Sequence, residues 1–597
     1  MTFRTLSGYY EKLEATSKRL ELIDILSKLF KEAKGDEIGK ICYLIQGRVA
    51  PFFEPIELGM AESMIAQSVS RAFDESKEDV LKLYRKLGNF GLAAAQLANR
   101  LRATDYGKRA VDRRQLTVDE VFAKLLEIAK FSGEGTVEKK VFGLCELLKK
   151  LDPISVKHVV NIPLGTLRLG IGDATVLDSL SLAKHGDKSL RPILEDAYNK
   201  TSDLGFVAET FFKKGISGIK NVKLIVGKPV RPALAERLPS ADEAIKRLGN
   251  EFAAEPKFDG FRVQVHLDRL TVQLFSRNLE NTTHAFPDIV DGVKKEVKAK
   301  SAILEGEAIA FNPLTSEFLP FQETTKRRRK YNIEEMMKEL PLVLFAFDLL
   351  YLNGKDITQK PYRERRKLLE SIISKDLSLG KAGGSIVRIA EEKILKSAKE
   401  ITDFFNEAIS EGLEGLMLKK LDSPYVAGGR GFHWVKFKRS QAGELTDTVD
   451  CVLLGVYLGK GKRTKFGVGG LLVGIYDEKR DEFVSISRIG TGLTDDEFRK
   501  VNEISKHLRA DHKPARVNSD ITPSFWVEPK IVLEIQADEI TRSPIHTAGR
   551  DKEGLGYALR FPRLVKFREA DKRAEDATTV SEVIKLYNLQ FSHYKKS

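Results

Sequence analysis

The chain has 597 residues, 42% of them apolar and 31% charged, and 99 lysines and arginines against 85 acidic residues give a formal net charge of +14. That length exceeds a single core and implies roughly three or four domains, while the composition excludes a disordered or collagen-like chain. The positive excess points to a polyanionic partner.

Cys42, Cys145 and Cys451 lie far apart without CxxC spacing, which argues against a disulfide framework or a structural zinc site and fits a reducing cytosol. No signal-peptide run stands near the N-terminus and no stretch is long enough to span a bilayer, so no membrane is expected. From Tyr9 to about Phe212 the apolar residues recur at helical spacing. In LTVDEVFAKLLEIAKF, Thr117 and Glu120 form a capping-box signature ahead of Val121, Leu125 and Ile128. LRLGIGDATVLDSLSLA is broken by Gly170 and Gly172, with Asp173 expected to cap the helix that follows. A helix start of this kind can hold a phosphate, which makes Arg168, Gly170 and Gly172 candidate contacts; the plainer reading is a helix–turn–helix connection. VGKPVRPALAERLPS, residues 226–240, reads as an extended linker. Strands and helices then mix to about Arg439. The remainder is strand-rich, with runs such as CVLLGVYLG and GGLLVGIYD that suit a small β-barrel, and residues 579–589 look helical.

Chemistry concentrates in the middle segment. EPKFDGFRVQVH reads as strand, Asp-Gly turn, strand, which sets Lys257 opposite Arg262 and Phe258 opposite Phe261. Like charges placed across a sheet are unfavourable. The pairing makes sense if a lysine rendered neutral by a nearby cation and partial burial attacks phosphorus while the arginine holds the phosphate. The plain alternative is a surface hairpin with solvated charges. Further on, FSRNLENT offers Arg277. AILEGEAIAF puts Glu305 and Glu307 on one face of an apolar strand, where a ligand or metal would explain their cost. LVLFAFDLLYLNG places Phe345, Phe347 and Leu349 on one face, as core or as a base-stacking surface. EGLEGLMLKKL contains Glu414 before a strand that includes Lys419. GGRGFHWVKFKRS puts Trp434, Lys436 and Lys438 on one face, with Arg430 upstream, as an anion site. KRRRK, residues 326–330, reads equally as a DNA-phosphate contact and as a solvated helix start.

The order KxDGxR, SRN, an acidic strand, FDLLYLNG, EGLMLK and WVKFK resembles the covalent nucleotidyltransferase superfamily, and within it the ATP-dependent DNA ligases of archaeal and eukaryotic replicative type. RLGIGDATVLDSL, EITRSPIHTAG and LRFPRLVKFREAD extend the resemblance over nearly the whole chain. It implies a multidomain fold: an all-α DNA-binding domain (1–225), an α+β nucleotidyltransferase (adenylation) domain with antiparallel sheets (226–439) and a C-terminal OB-fold β-barrel (440–597). It implies nick sealing in double-stranded DNA during replication, repair and recombination. By the same resemblance Lys257 becomes adenylated, the Glu255 backbone meets the adenine edge, Arg262 and Arg277 contact nucleotide and 5′-phosphate, and Glu307 lies near the ribose. Phe347 stacks on adenine, Glu414 associates with metal, and Glu307 is a second candidate metal ligand. Arg430, Lys436 and Lys438 surround the phosphates, and Arg560 and Lys566 belong to the last family motif, which helps position pyrophosphate.

The resemblance further implies ATP as cofactor, with ADP or another nucleotide left open as tolerated, and Mg²⁺, with Mn²⁺ an alternative that hard oxygen sites also accept. It implies nicked duplex DNA and a PCNA-type sliding clamp as partners, a monomer, and a cytoplasmic setting in an archaeal-like cell. An RNA ligase or an mRNA-capping guanylyltransferase shares the lysine motif, and use of GTP would mark the latter. A non-catalytic DNA-binding scaffold would need none of Lys257, Arg262, Glu307, Glu414 and Lys436.

Overall fold

The computed structural model describes residues 1–104, 115–167, 169–238, 240–312, 318–319, 324, 326–328, 333–373, 385–410, 413–438, 448–458, 468–490, 493–568 and 571–592. Its backbone divides into two units, one of Met1–Tyr198, Asp203–Val222 and Ala510–Arg516, the other of Asn199–Ser202, Lys223–Arg509 and Val517–Ser597.

The first unit is helical: α1 (Phe3–Glu14), α2 (Arg19–Glu32), α3 (Ile38–Ile45), α4 (Glu62–Phe73), α5 (Lys77–Leu87), α6 (Phe90–Thr104), α7 (Val118–Lys130), α8 (Thr136–Lys149), α9 (Pro153–Asn161), α10 (Asp173–His185), α11 (Arg191–Thr201) and α12 (Leu204–Lys220). Their apolar stripes converge on one core that includes Phe3, Tyr10, Phe30, Leu125, Leu144 and Phe211. The capping box forms at α7 as expected: the Thr117 hydroxyl accepts from the Glu120 N–H while the Glu120 carboxylate accepts from the Thr117 N–H. At α10 the expectation fails. Gly172 is the N-cap and Asp173 is already helical. The Asp173 carboxylate is drawn away from the cap by the Tyr198 hydroxyl at 2.7 Å and the Gln46 amide at 3.3 Å. Gly170 has φ +66°, a left-handed backbone that favours glycine. Arg168 lies outside the described residues.

In chain order the next strands are β1 (Leu234–Arg237), β2 (Phe252–Lys257), β3 (Phe261–Asp268), β4 (Thr271–Ser276), β5 (Ser301–Ala310), β6 (Leu342–Leu352), β7 (Lys355–Asp356), β8 (Val387–Ile389), β9 (Lys393–Leu395), β10 (Gly415–Lys420) and β11 (Arg430–Lys438). They make two sheets, β1-β11-β10-β2-β9 and β4-β3-β5-β6-β7, with β8 alongside β6. The expected hairpin is therefore absent: β2 pairs with β10 and β9, whereas β3 pairs with β4 and β5. The apolar faces supply the reason, since the residues of β3 pack into one core with β5 and β6, and those of β2 into another with β10 and β11. The expected linker is also more than a tether. Its end is β1, parallel to β11, and Val230 exchanges hydrogen bonds with the Gln264 amide (2.7 and 3.0 Å).

The C-terminal strands are β12 (Val449–Tyr457), β13 (Gly470–Asp477), β14 (Glu482–Ile489), β15 (Arg509–Ala510), β16 (Val517–Asn518), β17 (Phe525–Val527), β18 (Val532–Gln536), β19 (Glu539–Ser543), β20 (Gly556–Arg560) and β21 (Arg563–Phe567). One sheet runs β15-β17-β12-β13-β14-β16, with β18 bridging β12 and β21, while β19 and β20 pair only with each other. Register shifts at Leu453/Gly455 and Val473/Gly474 bend the sheet. Among the described residues it is a curled half-barrel rather than the closed barrel expected, because the β19–β20 ribbon stands apart from the ladder that would have to close. A terminal helix, Val580–Ser592, follows as expected. No helix among the described residues is long and apolar enough to cross a membrane.

Candidate active site

Lys257 is the last residue of β2, and only Phe258, Asp259 and Gly260 separate it from β3 in the other sheet. Gly260 is required by space rather than by φ: a Cβ there would stand 2.4 Å from the Ala308 carbonyl oxygen on β5. Phe258 stacks on Phe345 of β6, centroids 4.4 Å apart, instead of facing Phe261. The lysine ammonium emerges into a cavity lined by both sheets and by the C-terminal region of the same unit. Its Nζ lies 2.5 Å from Glu414 Oε2, so a carboxylate, and not Arg262, is the charge against it. Glu414 is placed by the main chain, for its N–H donates to the Lys257 carbonyl at 3.0 Å and Gly415 pairs with Lys257.

Arg262 is the cross-strand partner of Glu307 on β5. Its guanidinium is held by the Ala233 carbonyl (2.8 Å) and by Glu305 (2.7 Å), and it lies over the rings of Phe347 and Trp434. Glu305 is buried and also accepts from Tyr425 at 2.8 Å and from Gln264 at 3.2 Å. The two acidic residues of this strand thus divide: Glu305 is a structural counter-ion, and Glu307 faces the cavity. Burial pushes the Glu307 carboxyl up from an ordinary 4.5 to about 7 although Lys257 and Arg262 pull it down, with Glu414 adding to the rise. Arg277 follows β4 and lines the same cavity; burial draws its pKa down, with Arg262 and Arg568 adding to the effect.

Glu255 is 3% exposed. Its carboxylate is consumed by Lys419 (2.6 Å), Tyr362 (2.7 Å) and Arg366 (3.2 Å); burial pushes its pKa up against the pull of Lys419 and Arg366. The β9 ladder pairs with β2 only as far as Ala254, which leaves that edge of Glu255–Lys257 without a strand partner among the described residues. Phe347 meets Trp434 edge-on at 5.8 Å, and Lys419 sits 4.9 Å from its centroid. In the register of β5 and β6, Glu305 pairs with Asp348 and Gly306 with Ala346, so Phe347 is the extra residue of a bulge. The bulge corrects the expected face: Leu349 joins Leu344 and Ala346 in the other core, away from Phe345.

On β11, Trp434 and Lys436 line the cavity while Val435 and Phe437 face the core, as expected. The side chain of Lys438 lies outside the described residues. Arg430 also lines the cavity, but its guanidinium is bound to Glu582 at 2.6 Å and to the Ala577 carbonyl at 3.0 Å. Lys566 on β21 reaches Asp259 at 3.2 Å and Glu414 at 3.7 Å. Arg560, on β20, is exposed, bonds Thr541 at 3.0 Å and does not line the cavity. In the KRRRK run, Arg327 is buried against Asp288 (2.9 Å) and the Leu340 carbonyl (2.8 Å), which fits neither reading of that run; residues 329–330 lie outside the described residues.

Sequence reading missed a buried layer of the cavity wall, although Arg568 and Asp571 stand inside the quoted LRFPRLVKFREAD stretch. Asp450 on β12 is ion-paired to Lys572, and Arg568 is held by Glu534 (2.6 Å) and Asp571 (2.9 Å). Burial brings Lys572 down from 10.5 to about 7 in spite of Asp450. The signal was present: Asp450 interrupts the apolar run VDCVLLG, and Lys572 lies six residues beyond Lys566. For a hard cation, Glu307 and Glu414 supply two carboxylates; neither belongs to a preformed group of three donors among the described residues. That suits Mg²⁺, which takes one or two carboxylates and completes its shell with water and substrate phosphates.

The family described as ATP dependent DNA ligase domain matches residues 232–438, DNA ligase N terminus matches 2–181, and ATP dependent DNA ligase C terminal region matches 464–572. A probable DNA ligase of Dictyoglomus turgidum is 50% identical over 590 residues, covering 99% of this chain and 98% of that protein. DNA ligases of Nitrosopumilus maritimus and Saccharolobus solfataricus are 42% and 40% identical, each over 99% of this chain and 98% of theirs.

Proposed function

The chain belongs to the ATP-dependent DNA ligases, which seal nicks in DNA, and from that premise we propose that Lys257 is the nucleophile that carries the adenylyl group. The observation that carries this reading is Nζ of Lys257 in the cavity, 2.5 Å from Glu414 and among Glu307, Arg277, Phe347 and Lys436.

Nζ must shed a proton before it can attack, and Oε2 of Glu414 is the acceptor at hydrogen-bond distance. The amine then forms a bond to the α-phosphorus of ATP, and pyrophosphate leaves with the bonding pair. The 5′-phosphate of the nick displaces the lysine, which departs as an amine after protonation, and the 3′-hydroxyl attacks the activated phosphate and releases AMP. Phe347 offers a ring to the base, and the open edge of Glu255–Lys257 offers main-chain groups to its rim. Arg277 and Lys436 supply positive charge where phosphate oxygens gather, while Arg568 and Lys572 are already matched by Glu534, Asp571 and Asp450. Mg²⁺ held by Glu307 and Glu414 would offset the triphosphate charge, and Mn²⁺ meets the same oxygen donors.

The reading includes a DNA-binding domain at 1–225, an adenylation domain at 226–439 and an OB-type domain at 440–597, acting in the cytoplasm as a monomer on nicked duplex with a sliding clamp. The net charge of +14 supports sequence-independent phosphate contacts. The test is an intact-mass spectrum after incubation with ATP and Mg²⁺, on protein first stripped with pyrophosphate. Added AMP on the wild type, absent from Lys257→Ala and discharged by nicked duplex, is the expected result. No adduct on the wild type would overturn the reading, and an adduct with GTP alone would reassign the substrate.

A further inference from the structure

Far along the sequence from the cavity residues, the helical unit gathers a second set of ligating side chains. Glu11 and Glu14 lie one turn apart on α1, and His158 faces them from α9. One ligand atom from each can be chosen so that all three lie within 4.8 Å of one another. Nothing in the nucleotidyl-transfer chemistry uses them.

Two features point to a cation. His158 is fully buried, and its Nδ1 has no hydrogen-bond partner; it faces Glu14 Oε1 at 3.7 Å. That separation is too long for a hydrogen bond, yet it is close to what two donors adopt when each lies about 2.1 Å from one tetrahedral ion. A buried nitrogen left unpaired is otherwise a cost. The second feature is that the space between the carboxylates already holds positive charge: Lys157 Nζ lies 2.5 Å from Glu11 Oε1 and 2.6 Å from Glu14 Oε2. His158 Nε2 meets Glu11 Oε1 at 2.9 Å, on the other ring nitrogen, so Glu11, which is exposed, has to swing towards Nδ1 to share an ion with Glu14; the ring itself is packed edge-on by Tyr10. The lysine head is joined to the chain by a flexible stem and can leave for solvent; the imidazole cannot.

We propose that Glu11, Glu14 and His158 form a binding site for a divalent first-row transition metal, with Lys157 as the internal cation that the metal displaces. One nitrogen and two carboxylate oxygens favour Zn²⁺ over the all-oxygen preference of Mg²⁺. The ion would tie α1 to α9 within the helical unit.

Co²⁺ is the probe, titrated into the full-length, metal-stripped chain and followed by its d–d absorption, with Zn²⁺ competition and the melting temperature read alongside. One tightly bound Co²⁺ displaced by Zn²⁺ is expected, with a melting temperature that climbs with the logarithm of free Zn²⁺. Glu11→Gln, a change at a partly exposed position, should weaken binding at least tenfold, and Lys157→Met should tighten it by removing the competitor. Glu307→Gln, at the catalytic cavity, should leave this signal in place. Absence of a Co²⁺ band, or a band that Glu11→Gln leaves intact, would overturn the site. Weaker binding in Lys157→Met would overturn the displacement.

Discussion

Oε2 of Glu414 lies 2.5 Å from Nζ of Lys257, and the backbone holds both ends of that contact, because the Glu414 N–H donates to the Lys257 carbonyl. The pair is therefore positioned before any substrate arrives. Glu414→Gln keeps the shape and, on the proposed reading, removes the group that accepts the Lys257 proton. Single-turnover adenylation should slow by about 100-fold or more, with the melting temperature nearly unchanged. A mutant within threefold of wild type would remove Glu414 from the chemistry.

Glu307 gives the apoprotein a pH dependence of definite sign. Its carboxyl titrates near 7 when folded and near 4.5 ordinarily, raised mainly by burial. Between those values the unfolded chain gives up its proton first, so the contribution of Glu307 to stability is fullest below about pH 4.5, falls as pH rises, and is gone above about 7. A rise from 4.5 to about 7 corresponds to about 3 kcal/mol. Thermal melts of nucleotide-free protein from pH 5 to 8 should show that fall. Glu307→Gln should remove its own share of the slope and leave the remainder.

Gly260→Ala should be more harmful than an alanine in a loop usually is. The new methyl would press on the Ala308 carbonyl at 2.4 Å, against strand backbone that cannot yield cheaply. A loss of about 1–3 kcal/mol is expected, together with slower adenylation, since Lys257 is three residues away. Normal melting and normal adenylation together would show that the link has room.

Phe347→Leu retains apolar bulk beside Trp434 and removes the aromatic face. Loss of base stacking of about 1–3 kcal/mol should appear as a higher KM for ATP, by about fivefold to 150-fold, with a smaller change in kcat. Equal loss in both would point to disturbed packing at the bulge instead.

Asp450 and Lys572 form a buried ion pair, each almost inaccessible to solvent. Asp450→Asn leaves the ammonium facing Arg568 and Arg277 with its counter-charge reduced. The expected cost is about 3–5 kcal/mol, seen as a lower melting temperature, and Lys572→Met in the same background should return part of it. A double-mutant cycle with no coupling would contradict the pair.

What could be read from the sequence was what depends on local order. Helical spacing, the Thr117–Glu120 box and the alternation of Trp434, Lys436 and Val435 are set within a few residues, and they appear in the structure as expected. The failures came from partners distant in sequence. Asp-Gly between two strands signals a hairpin, yet here the strands separate into two sheets because their apolar faces belong to different cores. The bulge at Phe347 depends on the register with β5, and the fate of Arg430 depends on Glu582, 152 residues later. Asp450 and Lys572 show the same limit, for each is ordinary in its own segment and becomes part of the cavity wall only after the C-terminal strands assemble.

The three-residue link between β2 and β3 has a mechanical consequence. Lys257 ends one sheet while Arg262 and Glu307 ride on the other, so any sliding of sheet against sheet is passed directly to Lys257, with only three residues to absorb it. Phe258, stacked on Phe345 across that joint, then acts as a shear brace. Phe318 packs edge-on against both rings, so the joint rests on a cluster of three aromatic side chains, and loosening that cluster would disturb the setting of Lys257.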